Sequence, residues 1–179
     1  MGQKHLLGLH RIRRAKSLRA RLRGLRGESG SALIELALVV GILGVPLLLG
    51  TAQMGVLGYD SIEITDAANA GALYGMQSAT YASNNSGITT AAQAEATDFG
   101  TQLTVTPTNY WVCATAMTGT QYSGTNGQSN ATAACTGAGN RAVQFVQVNT
   151  SASVTPVVHW SVLPASLTLN GKAVMEVQQ

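Results

Sequence analysis

Histidine is scarce in this chain. Three occur in 179 residues, and only His159 lies beyond the first thirty. Cysteine is limited to Cys113 and Cys135. Two Cys and one His do not form any of the close-pair spacings of a zinc site, so no metal is expected. The G-x-S-x-G, P-loop and H-E-x-x-H patterns are absent too. A single His beside Trp160 reads as a packed or surface residue rather than a catalyst. The expectation is therefore a protein that is not an enzyme, with no catalytic residue and no cofactor. Charge is equally thin after residue 30. Arg141 and Lys172 stand against seven acids, so that part of the chain carries 2 − 7 = −5.

The remaining charge is concentrated at the front. Residues 1–30 hold nine of the eleven Lys and Arg and one acid, Glu28, a net of 9 − 1 = +8. Nine cations could suggest nucleic-acid binding. A topogenic leader explains them better, because an apolar run follows directly and no nucleic acid is needed. Ala32–Leu57 is apolar almost throughout and spans 26 residues. As a helix it would reach about 39 Å, against roughly 30 Å of bilayer hydrocarbon. It reads as a membrane-spanning helix, bent at Pro46, which removes one helical hydrogen bond. The basic flank places the leader in the cytoplasm and exports the rest. A secretory signal peptide fits poorly, since its apolar region is shorter and its small-residue cut site follows that region.

One full charge interrupts the run, at Glu35. Holding a charged side chain at the centre of a span costs roughly 2.5–3.5 kcal/mol, and less near the ends. A basic leader, then Gly30, Ser31 and Glu35 at the fifth position after Gly30, then an apolar helix, together resemble a class III prepilin signal. Prepilin peptidase, a membrane aspartyl protease, cuts after that Gly, so the resemblance implies a mature chain beginning at Ser31. "RGESGSALIELALVV" resembles the opening signature of the TadE-like family, pseudopilins or minor pilins of the tight-adherence (Flp, type IVc) pilus system. "YDSIEITDAANAGALYGM" is similar to its second block and "LTLNGKAVMEVQQ" to its closing strand. The middle of the chain is unmatched. Cleavage would free the Ser31 amine close to the Glu35 carboxylate, in the same chain or a neighbour. Pairing the two lowers the cost of keeping either in lipid. The alternative is a carboxylate that snorkels to the interface and serves only in peptidase recognition.

Beyond the span, 58–83 is expected to continue the helix, with Asp60, Glu63 and Asp66 marking its emergence into water. Ala67, Gly71 and Gly75 recur every four residues, a spacing that admits another backbone at close range. Tyr59, Leu73 and Tyr74 are expected to pack. Ser83–Gly87 is a turn cluster. A short helix then follows, capped at Thr90-x-x-Gln93 and stopped near Gly100. Strands are expected at Leu103–Thr106 and Tyr110–Ala116, the latter bringing Trp111 and Cys113 to one face, and at Val143–Val154, bulged near Asn149–Ser151. Thr118–Asn140 reads as a polar loop. Pro156 and Pro164 bracket a crossover. Leu167–Val177 is the last strand, read as continuous although Asn170-Gly171 could make a hairpin turn. In an oxidising compartment Cys113 and Cys135 are expected to pair, closing a loop worth roughly 3 kcal/mol; two unpaired buried thiols are the alternative.

The expected architecture is α+β: a leader over 1–30, a membrane-spanning helix half over 31–57, a periplasmic helix half over 58–83, and a small head with an antiparallel sheet over 84–179. The resemblance implies a single-pass protein of the bacterial inner membrane acting in pilus assembly and surface adhesion. Its implied partners are prepilin peptidase, pilin and other pseudopilin subunits, the inner-membrane assembly platform and membrane lipid. Two alternatives stay open: an unprocessed, membrane-anchored envelope binding protein, and a pseudopilin of a secretion or DNA-uptake machine.

Overall fold

The computed structural model describes residues 30–156 and 165–178. The crossover with His159 and Trp160, and the leader over 1–29, lie outside them. The chain divides into two units, one ending at Ala52 and one beginning at Gln53. The fold is α+β, with one long apolar helix and a four-stranded antiparallel sheet of order β2-β1-β3-β4.

The long helix, α1, is Gly30–Gly75, 46 residues. It is regular except for a π turn at Val40–Gly44, closed by the Val45 N–H donating to the Val40 carbonyl. Pro46 explains the irregularity. It has no N–H, and its ring would collide with the Ile42 carbonyl of a regular α-helix. The wider turn directly before it absorbs that conflict, and the helix continues on both sides.

Helix α1 ends at Gly75, not near Ser83. Two features mark that end. A β-carbon at Gly75 would meet the Val146 side chain at 2.9 Å. The Ser78 hydroxyl then accepts from the Tyr81 N–H and opens a separate short helix, α2, Ala79–Ala82. The third helix, α3, is Asn85–Glu95. Its cap is Asn84, whose side-chain Oδ1 accepts from the Gly87 N–H at 3.0 Å. Thr90, expected as the cap, lies inside it, and its hydroxyl donates to the Ser86 carbonyl. The helix stops before Gly100, which instead opens a 3-10 turn with φ of 50°.

The sheet comprises β1, Thr104–Cys113; β2, Tyr122–Ser123; β3, Ala142–Val154; and β4, Leu167–Glu176. Strand β1 replaces the two strands expected around Pro107. It tolerates that proline because β2 pairs only with Tyr110 and Trp111, leaving the β1 edge open at Pro107. Strand β3 is central. It pairs one-to-one with β1 and with β4 straight through Asn149, Thr150 and Ser151, so there is no bulge. The expected polar loop contains β2 and a fourth helix, α4, Gly127–Ala134.

The head buries one face of β3 against α1. Along β3, Val146, Val148, Thr150 and Ala152 are buried at period two. They meet Ala67, Ala68 and Ala72 of the helix, with Ile64, Ile88 and Leu103 as the larger fillers. So many alanines and glycines bring backbones close. The Thr150 hydroxyl donates to the Ile64 carbonyl at 2.8 Å, and the Gln178 N–H donates to the Met76 carbonyl at 2.8 Å. With Gly75 against Val146, these contacts lay the last three turns of α1 alongside β3 and β4.

Candidate functional site

The first candidate region is the start of α1. Gly30 and Ser31 are exposed, and nothing lies within 4 Å of where a Gly30 β-carbon would sit. Glu35 follows one helical turn and a residue later than Gly30 and is also exposed. Twelve Leu, Ile and Val side chains between Leu33 and Leu49 are 43–71% exposed. Leaving them in water forgoes on the order of 10–20 kcal/mol, as much as a domain's whole stability. A lipid or protein surface must cover them, and α1 is long and apolar enough to cross a membrane.

The stripe of Ala67, Gly71 and Gly75 is occupied within the head. A β-carbon at Gly71 would meet Ile88 and Ala92 of α3 at 3.2 and 3.3 Å, and Gly75 faces Val146. Ala67 is fully buried. The close backbone approach at this stripe is thus made by α3 and β3 of the same chain. Tyr74 packs against the core, with its ring edge-on to Tyr81 at 5.0 Å and its hydroxyl accepting from the Asn84 amide. Tyr59 and Leu73 do not pack. They are 61% and 52% exposed, because they lie on the side of α1 turned away from the sheet.

Cys113 and Cys135 are bonded, with α-carbons 5.2 Å apart. The bond ties α4 to the end of β1. Gly127, at the start of α4, lies over the Trp111 ring, where a β-carbon would be 2.8 Å from Cε3. Trp111 and Cys113 thus share the face of β1 that receives α4.

A second region lies where the head begins. Tyr59, Ile62, Glu63, Asp66, Glu95 and Thr97 line an open groove of about 180 Å³. One Glu63 oxygen accepts from the Asp98 N–H at 2.9 Å. The other, Oε2, is buried and has no hydrogen-bond partner among the described residues. Burial raises the Asp60 pKa above the ordinary carboxylate value, and the neighbouring Asp98 charge adds to the shift. The sequence marked Asp60, Glu63 and Asp66 only as the helix entering water. That Glu95 and Asp98 fold back onto them required the α3 turn. Among the described residues, no group of three or more His, Cys, Asp or Glu is placed to hold a metal.

Residues 30–73 match the family model described as TadE-like protein. The match takes in Gly30, Ser31, Glu35, the apolar run, Ala67 and Gly71. No curated protein and no solved structure matches the chain.

Proposed function

We propose, from the premise that this chain is TadE-like over residues 30–73, that it works as a minor pilin in the assembly of a tight-adherence pilus. The single observation that carries the reading is Gly30-Ser31 and Glu35 at the head of an apolar helix, inside that match, whose Leu, Ile and Val side chains from Leu33 to Leu49 are exposed. In this reading prepilin peptidase removes the basic leader after Gly30. The +8 leader stays cytoplasmic and the head lies in the periplasm. The new Ser31 amine and the Glu35 carboxylate neutralise one another at the membrane, in one chain or between neighbours. That pairing sets register as the helix joins pilin and other pseudopilin subunits at the assembly platform. Adhesion follows from the completed fibre. The work is mechanical, with no bond made or broken by this chain.

Intact mass of the membrane-extracted protein tests the reading. The expected mass begins at Ser31, and Gly30→Ala should retain the full leader. Glu35→Gln should still be anchored, and it should fail to support surface filaments. A wild-type chain that keeps its leader beside an active peptidase would sink the proposal and leave a tethered envelope protein.

A further inference from the structure

The groove at the base of the head is apolar on one side and acidic on the other. Tyr59 and Ile62 are 61% and 63% exposed on the face of α1 turned from the sheet. Glu63, Asp66 and Glu95 stand around them, and none of the lining residues is cationic. Asp98 lies beside Glu63, and Asp60 lies near Asp98. Five of the seven acids after residue 30 therefore gather here.

We propose that this face docks a cationic amphipathic segment of a different protein, its apolar side on Tyr59 and Ile62 and its Lys or Arg side toward Glu63, Asp66 and Glu95. Charge complementarity selects that occupant. A second copy without its leader would bring a body of net −5 with only Arg141 and Lys172 as cations after residue 30, and Arg141 already lies 3.9 Å from Glu176. Like charges meeting across an interface oppose docking. Lipid is the other neighbour within reach, since Ile62 lies about 7.5 Å along the helix from Leu57. Anionic headgroups would be repelled by the same carboxylates. The inference rests on the proposed function in one respect, that the +8 leader is removed or held across the membrane from this face; the groove itself is built from residues 59–97.

The test uses the chain beginning at Ser31, as leader removal leaves it, in neutral-detergent micelles with a fluorescent Leu/Lys amphipathic helical peptide, and empty micelles as the blank. A Leu/Glu peptide of the same pattern is the comparison. Asp66 and Glu95 are exposed, so Asp66→Lys with Glu95→Lys should keep the wild-type melting profile. That double variant should weaken Leu/Lys binding about tenfold, and added salt should weaken wild-type binding similarly. Ile62→Ser should weaken it several-fold, and Lys172→Glu should leave it unchanged. Equal binding of the Leu/Glu peptide, or no response to either groove variant, overturns the proposal. So does wild-type self-association that Ile62→Ser abolishes, which would make a second copy the occupant. A blue-shifted Ile62→Trp in neutral-lipid nanodiscs without peptide also overturns it, because lipid would then cover the face.

Discussion

Gly171→Ala should be among the most damaging single-methyl changes in the head. Gly171 sits within β4 opposite Thr150, at the point where α1 comes nearest the sheet. An added β-carbon would be 2.6 Å from the Ile64 carbonyl oxygen and 2.6 Å from the Thr150 hydroxyl. One of those atoms belongs to the backbone of a packed helix and cannot swing aside. The helix or the strand must move, which costs about 1–3 kcal/mol as overpacking. The movement also lengthens the buried Thr150–Ile64 bond, worth about 1 kcal/mol. The sum is about 2–4 kcal/mol, or roughly 8–15 °C in melting temperature for a unit of this size. Near-ultraviolet circular dichroism of the full chain in neutral micelles reads that shift. Gly58→Ala is the matched control: nothing lies within 4 Å of its β-carbon, so removing a helix-interior glycine should gain up to about 1 kcal/mol. Thr150→Ala should lose stability alone yet soften the Gly171→Ala effect, since one of the two collisions disappears. If Gly171→Ala melts with Gly58→Ala, the close approach does not bear on stability and the packing argument fails.

Three further outcomes follow from the same geometry. Replacing Cys113 and Cys135 together by Ser should cost roughly 3 kcal/mol and loosen α4 first, read as amide-exchange protection lost over Gly127–Ala134 before β3. Asp60 has a folded pKa above its unfolded one, so its ionised form opposes folding. Stability contributed there is present at low pH and falls as pH rises from the ordinary value of 3.8 through the raised one. Asp60→Asn should flatten that part of the urea-midpoint profile and raise stability at neutral pH, and an unchanged profile would count against the burial argument. Pro46→Ala should restore the i→i−4 hydrogen bond and remove the π turn, seen as stronger amide protection across Val40–Gly44 in micelles.

The features legible in the sequence are those written as local pattern. The apolar run gave the long helix, and β-rich composition gave β3 and a continuous β4. Features fixed by a distant partner were not legible. Gly71 and Gly75 look alike in sequence, and only Val146 arriving from β3 distinguishes the one at the helix end. Asn170-Gly171 looks like a turn pair, yet glycine is there to admit a helix carbonyl. Composition hid α4, whose Gly, Ser, Asn, Thr and Ala residues carry little apolar pattern; the disulfide and Trp111 hold it. Thr90 and Gln93 have capping spacing, but Asn84 caps first. For the candidate sites, Gly30 and Glu35 were singled out by their resemblance to a class III prepilin signal, whereas the groove needed Glu95 and Asp98 to be folded back beside Glu63.

Helix α1 lies lengthwise along β3 and β4, clasped at Ile64, Gly75 and Met76. Strand β3 is laced on both edges, by ten residue pairs to β1 and ten to β4. Strand β3 is thus the keystone of the head: it cannot loosen without releasing β1, β4 and the packed turns of α1 at once, so its backbone opens only when the whole unit does.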